Sequence, residues 1–233
     1  MMLSESDEKW LRNNYPALIA TGDTVAGTIE FKASYDSQEH RFFILAGQPD
    51  EEIGGRVLSG TFQIRIQERT HKSTSQLPAL YVEGIDPIAD RHFSQSDNSA
   101  CLCSPFDERE FLQPELQFRA FLERLVIPFL YGQVFYSSKR RWPWADYAHG
   151  AVGILEAYSK IEDQNCAVEC IRLLAQYMNW PRIRSALRQQ PYVKGHTTCF
   201  CERKLQLRRC HPRALAGALR LQKHLRALGI SVL

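Results

Sequence analysis

The hydrophobic period changes partway along the chain, and that change limits the fold more than any other feature. Thr61 to Arg69 places Phe62, Ile64 and Ile66 on one face and Gln63, Arg65 and Gln67 on the other, the period of two expected of a half-buried strand. Gly27 to Tyr35 alternates in the same way, His40 to Ala46 carries Phe42, Phe43, Ile44 and Leu45, and Pro78 to Val82 is a short extended run. Polar or glycine-containing breaks separate these runs at Asp36–Glu39, Gly47–Gly60 and His71–Gln76. Three or four short strands joined by such breaks predict an antiparallel meander.

Past residue 105 the period becomes helical. Pro114 to Tyr136 sets Leu116, Phe118, Phe121, Leu122, Leu125, Val126, Phe129 and Leu130 at helical spacing, with a kink or break expected at Pro128. Pro105 and Asp107 predict a helix start before it, and further helices are expected over about 145–160, 163–178, 181–190 and 212–228. At the other end, residues 4–14 read as a short helix capped by Ser4 or Ser6. Helix, antiparallel strands, loop and helices in that order define an α+β fold.

The loop at the change of period carries the candidate chemistry. Arg91 to Cys103 reads Arg-His-Phe-Ser-Gln-Ser-Asp-Asn-Ser-Ala-Cys-Leu-Cys, a polar turn ending in two thiols. A nucleophilic cysteine needs exposure and an accessible thiolate, and Cys101 meets the first condition because Ser94 to Ala100 is polar. His92 can steady the loop or act as a base, and Asn98, Ser99 and loop amides can donate toward an oxyanion. Cys103 is either a relay for an acyl group or a packed neighbour of Cys101. The plain alternative is that both cysteines are small buried hydrophobes at a strand end.

Order and spacing in this region resemble the ubiquitin-conjugating (ubiquitin carrier) enzymes. In that family a His-Pro-Asn tripeptide precedes, by about this distance, a Cys-Leu pair whose cysteine carries a thioester. His92 and Cys101-Leu102 match, while Phe93 and Ser94 stand where the family has Pro and Asn. Asn98 or Asp97 is then left to replace the family's oxyanion-stabilising asparagine. Trp142-Pro143, His149-Gly150 and Gly153 to Tyr158 are similar to the helical part of the divergent bacterial carriers of anti-phage cyclic-oligonucleotide (CBASS) systems. This resemblance, over roughly residues 5–160, implies a carrier-like α+β fold and a cysteine-dependent acyl transferase. Its implied protein partner is the C-terminus of a cGAS-like nucleotidyltransferase, which the enzyme conjugates or cleaves. There is no glycine-rich nucleotide loop, so no adenylation domain accompanies it.

A second cysteine group lies near the C-terminus. Cys199-Phe200-Cys201 is followed after eight residues by Cys210-His211, four soft or borderline ligands in a short segment poor in core residues. Tetrahedral Zn²⁺ suits that set, and its binding would supply folding energy the segment lacks. The spacing resembles the SEC-C zinc motif, with Glu202-Arg203-Lys204 replacing Gly-Ser-Gly. Zinc is therefore the expected cofactor and its role structural, since four protein ligands leave no open position. His196 is an alternative ligand, and reduced cysteines packed under the last helix are the alternative to a metal. Cys166 and Cys170, four apart on a helix, are expected to pack inward.

Composition bounds the remaining classes. A net charge of +3 does not by itself argue for nucleic acid. Residues 182–226 nevertheless hold twelve arginines and lysines against the single acid Glu202. That basic end suits nucleic acid, an acidic protein face or a nucleotide, or is simply a solvated surface; its lack of interleaved exposed aromatics argues against nucleic acid. Seven cysteines, an acidic N-terminus and no long apolar run predict a reduced, cytoplasmic chain that does not enter a membrane. The expected organisation is a carrier-like catalytic domain over 1–160, a helical extension over 161–191 and a basic zinc-binding module over 192–233. Two other readings stay open: a catalytically inactive carrier-fold adaptor, and a zinc-knuckle nucleic-acid-binding protein.

Overall fold

The computed structural model describes residues 3–45, 54–69, 75–94, 96–112, 116–144, 147–201 and 203–231. Residues 47–53 of the break expected at Gly47–Gly60, residues 71–74 of the break expected at His71–Gln76, the starts of the helices expected at Pro114 and Ala145, and Glu202 lie outside the described residues. The chain divides into two compact units, Met1–Asp146 and Tyr147–Leu233.

The first unit opens with α1 (Glu5–Asn14), whose start is set by a capping box: the Ser4 hydroxyl accepts from the Asp7 N–H and the Asp7 carboxylate accepts from the Ser4 N–H. Five strands follow: β1 (Leu18–Thr21), β2 (Thr24–Asp36), β3 (Arg41–Ile44), β4 (Arg56–Gln67) and β5 (Ala79–Val82). All pairings among them are antiparallel. The order differs from a simple meander, because β4 pairs with β2 and not with β3. β2 and β4 match over their length, from Thr24↔Gln67 to Tyr35↔Arg56. That pairing occupies one edge of β2, so β1 and β3 lie end to end along the other. A four-residue β3 offers too few ladder bonds to compete for β4. The sheet is also larger than the alternation predicts. Leu18–Thr21 carries no alternation yet forms β1, and β2 starts three residues before Gly27. β4 starts at Arg56, inside the break expected over Gly47–Gly60, because its first residues pair with β2.

Residues at alternate positions of the long pair share one face. Val25, Ile29, Phe31 and Ala33 of β2 stand beside Ile64 and Ile66 of β4, with Leu80 of β5, and all are buried. The helical run that covers them is continuous but changes pitch: α3 (Phe118–Phe121), a π-turn over Leu122–Val126, then α4 (Ile127–Lys139). Pro128 accounts for the wide turn, since it has no N–H to give the Arg124 carbonyl and its ring would crowd that carbonyl. The expected break at this proline is thus a π-turn, and the apolar stripe passes through it uninterrupted. Leu122, Val126, Ile127, Leu130 and Tyr131 are buried there, and the Tyr131 hydroxyl donates to the Arg56 carbonyl at 2.6 Å.

Before α3 the chain makes a 3-10 turn at Ala89–Arg91, the cysteine loop and the short α2 (Glu108–Phe111). In the second unit, α5 (Gly150–Tyr158), α6 (Cys166–Leu174), α7 (Trp180–Leu187), α8 (Leu207–Cys210) and α9 (Pro212–Ala227) gather around α9. Gly217 lets α9 approach α5 closely, for a Cβ there would sit 1.7 Å from the Leu155 carbonyl oxygen. Cys166 and Cys170 are buried, as their spacing predicts. No described helix is long and apolar enough to cross a membrane.

Gly132 on α4 has a different neighbour, the ring of Trp142, which a Cβ would meet at 2.0 Å. That ring also packs against His92, Phe129, Tyr136 and Trp144 and donates to the Asp90 carbonyl. Gly132→Ala is therefore expected to destabilise the first unit by about 1–3 kcal/mol through overpacking. Urea unfolding followed by tryptophan fluorescence measures it, and the folded spectrum should shift as well because Trp142 is displaced.

Candidate functional site

The cysteine loop is a small hairpin. Phe93 and Ala100 form a bridge, the Cys101 N–H donates to the His92 carbonyl at 2.7 Å, and the Ser94 N–H donates to Ser99 at 2.8 Å. The backbones of His92 and Cys101 thus face each other across the ribbon, although they lie nine positions apart in the chain. Two anchors hold the ribbon. The Ala100 N–H donates to the Leu80 carbonyl of β5, and buried Phe93 packs edge-on against Phe129 of α4 at 5.4 Å between centroids. The tip is closed by Asn98, at φ 58°, whose N–H donates to the Ser94 carbonyl. An asparagine tolerates that left-handed backbone better than most residues, so Asn98 turns the chain and remains exposed.

The four candidate residues of the loop therefore differ in setting. Cys101 is exposed, yet protein crowds its sulfur, and burial is the main reason its thiol is raised above the ordinary value. Arg69 opposes that rise and Asp97 adds to it. Cys103 is half-buried, and its thiol is pushed far up by burial, then by Glu108 and Asp107. The chain leaves extended pairing after Ala100, so Cys103 does not continue a strand with Cys101. The His92 ring sits edge-on to Trp142 at 4.5 Å between centroids, and His92 adopts φ 55°.

Sequence reasoning missed the groups beneath this hairpin. Arg69, just past the end of β4, donates to Leu77, Asp97 and Ser99. Buried Glu108 accepts from the Gln76 N–H, and burial raises its carboxyl despite that bond and the nearby Arg69. Arg69 reaches Asp97 and Ser99, and Glu108 reaches Gln76, across about thirty positions of chain, and no local spacing signals such contacts.

The second cluster comes together as its spacing predicts. Cys199, Cys201, Cys210 and His211 place one ligand atom each within 4.8 Å of all the others. Cys199 Sγ lies 3.1 Å from His211 Nδ1, and the sulfurs of Cys201 and Cys210 are 3.5 Å apart. A tetrahedron of metal–sulfur bonds of about 2.3 Å has sulfurs about 3.8 Å apart, so the donor set and its spread suit a metal ion. All three cysteines are free thiols. His196 is outside the group and exposed.

Local structure explains the convergence. Thr198 bridges Gln206, and the Cys199 N–H donates to Leu205, so the first two cysteines sit in a tight ribbon. Cys210 ends α8, and His211 falls in the corner before α9, where Pro212 stops the helix from running through. Arg182 and Asn179 hold the ribbon from the α7 side by donating to the carbonyls of Cys199 and Phe200. Within the cluster Cys201 is lowered: burial raises it, but the Arg203 N–H and the Cys210 and Cys199 thiols outweigh that effect. Burial raises Cys199. Cys210 is raised as well; a bound metal would take all three as thiolates.

No protein-family model, no curated protein and no solved structure matches this chain.

The two loop thiols should separate by reactivity. Under mild alkylation at slightly alkaline pH, Cys101 is expected to react about tenfold or more faster than Cys103, which is less exposed and raised further. Fragment-ion mass spectrometry of the peptide containing both residues checks this, and equal rates would contradict the assigned settings.

Proposed function

We propose that this chain is a bacterial ubiquitin-carrier-like acyl transferase of anti-phage defence, with Cys101 as its nucleophile and a structural zinc site at Cys199, Cys201, Cys210 and His211. The observation that carries the reading is the placement of Cys101. It is an exposed thiol on a ribbon fastened to both the sheet edge and α4, with His92 directly across the strand. A rigidly held, accessible thiol at the junction of sheet and helices is what acyl exchange requires.

In the proposed reaction the Cys101 thiolate attacks the carbonyl of an activated C-terminal thioester. A new carbon–sulfur bond forms, the donor's carbon–sulfur bond breaks, and the donor leaves as its thiolate. A lysine amine then attacks the Cys101 thioester, the nitrogen loses a proton to solvent or a nearby base, and Cys101 departs as thiolate from a new isopeptide bond. By the resemblance of the loop and of residues 142–158, the acyl partner is the C-terminus of a cGAS-like nucleotidyltransferase. His92 and the hairpin amides near Asn98 are the proposed polarising groups; Cys103, with its strongly raised thiol, is a packed neighbour in this scheme.

A peptide C-terminal thioester tests the assignment. Wild-type protein should gain one thiol-sensitive acyl mass and pass it to free lysine. Cys101→Ala should lose the adduct, and Cys101→Ser should hold it as a thiol-resistant oxygen ester. A full-strength adduct in the alanine variant sinks the proposal. No adduct in the wild-type protein would favour the adaptor reading, in which Cys101 does no chemistry.

When bound, zinc would cross-link the ribbon to the start of α9 and supply folding energy there. Protein purified without chelator should contain about one zinc per chain, and Cys199→Ser or a strong chelator should remove it with loss of ordered structure in Tyr147–Leu233. Elemental analysis and circular dichroism read both, and metal-free protein that is fully folded would exclude the site.

A further inference from the structure

Arg69 is the least expected member of the cysteine loop's surroundings. Its side chain is only 13% exposed, and three of its nitrogens are committed. Nε donates to the Leu77 carbonyl at 3.0 Å, Nη1 to Asp97 Oδ2 at 2.9 Å, and Nη2 to the Ser99 hydroxyl at 3.0 Å. Ser99 is fully buried and gives its N–H and its hydroxyl to the other Asp97 oxygen, at 3.2 and 2.8 Å. Guanidinium, carboxylate and hydroxyl therefore close a triangle beneath the hairpin, with Ser99 two residues before Cys101. The planar fork of arginine suits such paired contacts; lysine offers only a point charge.

We propose that Arg69 is a positioning residue for Cys101, fixing the hairpin tip through Asp97 and Ser99 while placing its positive charge where it favours the Cys101 thiolate. The biological meaning of this rests on the acyl-transfer reading, but the effect on the thiol does not. Two charged groups bear on Cys101 with opposite signs. Arg69, from the end of β4, favours the thiolate, and Asp97, from the loop, disfavours it. Cys103 lies beside them with its own raised thiol, under Glu108 and Asp107 of the following segment. The Asp97 carboxyl is itself held below its ordinary value: burial raises it, but hydrogen bonds from Ser94 and Ser99 and the charge of Arg69 prevail. It is therefore ionised wherever the thiol titrates. A purely mechanical support and an electrostatic one thus predict different outcomes.

The test is the pH profile of Cys101 alkylation by iodoacetamide in full-length protein carrying Cys103→Ala, read by peptide mass spectrometry. Arg69→Gln should move the midpoint upward and slow alkylation at a fixed pH below it by about three- to tenfold, a shift of about half to one pH unit. Asp97→Asn should move the midpoint downward, because Asn retains an oxygen for Arg69 while the opposing charge is gone. Arg69→Lys should keep the midpoint near wild type. If Arg69→Gln does not fold, Asp97→Asn decides: a downward shift supports the proposal, and no shift or an upward one overturns it. Midpoints that move in the same direction in the Gln and Asn variants, or in neither, also overturn it. Opposite shifts in a protein that transfers no acyl group would retire the carrier reading and leave the coupling of Arg69 to the thiol standing.

Discussion

The twelve-residue pairing of β2 with β4 is the constraint on which the first unit depends. A slip of one residue would turn Ile64 and Ile66 away from Val25 and Ile29 and expose the face that α4 covers. The same register decides where β4 ends, and two features of the loop follow from that end. β5 pairs with Ile64 to Gln67, which puts the Leu80 carbonyl where Ala100 can reach it. Arg69 emerges two residues beyond the strand, directly below the hairpin. The placement of Cys101 is thus a consequence of sheet register, relayed through one backbone bond and one guanidinium.

Much of this was legible because burial imposes a period on the residues that undergo it. Phe62, Ile64 and Ile66 announce β4 by alternation, and Phe118 to Leu130 announce the helical run. β1 was not legible: Leu18 to Thr21 is short and has a single buried residue, Leu18, so it carries no period of its own and exists through its pairing with β2. The pairing of β4 with β2 across the β3 hairpin was also hidden, since alternation states which face is buried and not which strand is adjacent. The backbone role of Asn98, which turns the hairpin at φ 58°, was hidden too, because a polar loop residue does not announce a left-handed conformation.

The two cysteine groups differ in how much the chain reveals of them. Cys199, Cys201, Cys210 and His211 are close in sequence, so spacing alone nearly determines the cluster, and a tight ribbon with a proline-stopped corner completes it. The loop at Cys101 draws on Arg69, Leu80, Phe129 and Trp142, which lie up to about forty residues away. Only a folded core can collect such groups. A site of local ligands can be read as a motif, while a site supported from a distance appears only once the sheet is assembled.

The setting of Cys101 combines access with a penalty on its thiolate, and the combination has chemical consequences. A thiol raised by burial stays largely protonated near neutral pH, which limits reaction with oxidants and stray electrophiles. Once formed, its thiolate is the stronger nucleophile and the poorer leaving group, because both properties follow basicity. In the proposed acyl transfer that balance slows loading and favours retention of the acyl group over spontaneous loss. The cost falls on the step that releases the acyl group to an amine, where a basic thiolate must depart. In the proposed transfer Arg69 would act on that step too, since a positive charge that favours the thiolate on attack also favours it on departure. Burial and Arg69 thus act on the same sulfur in opposite directions, and in the proposed transfer they would favour retention and turnover respectively.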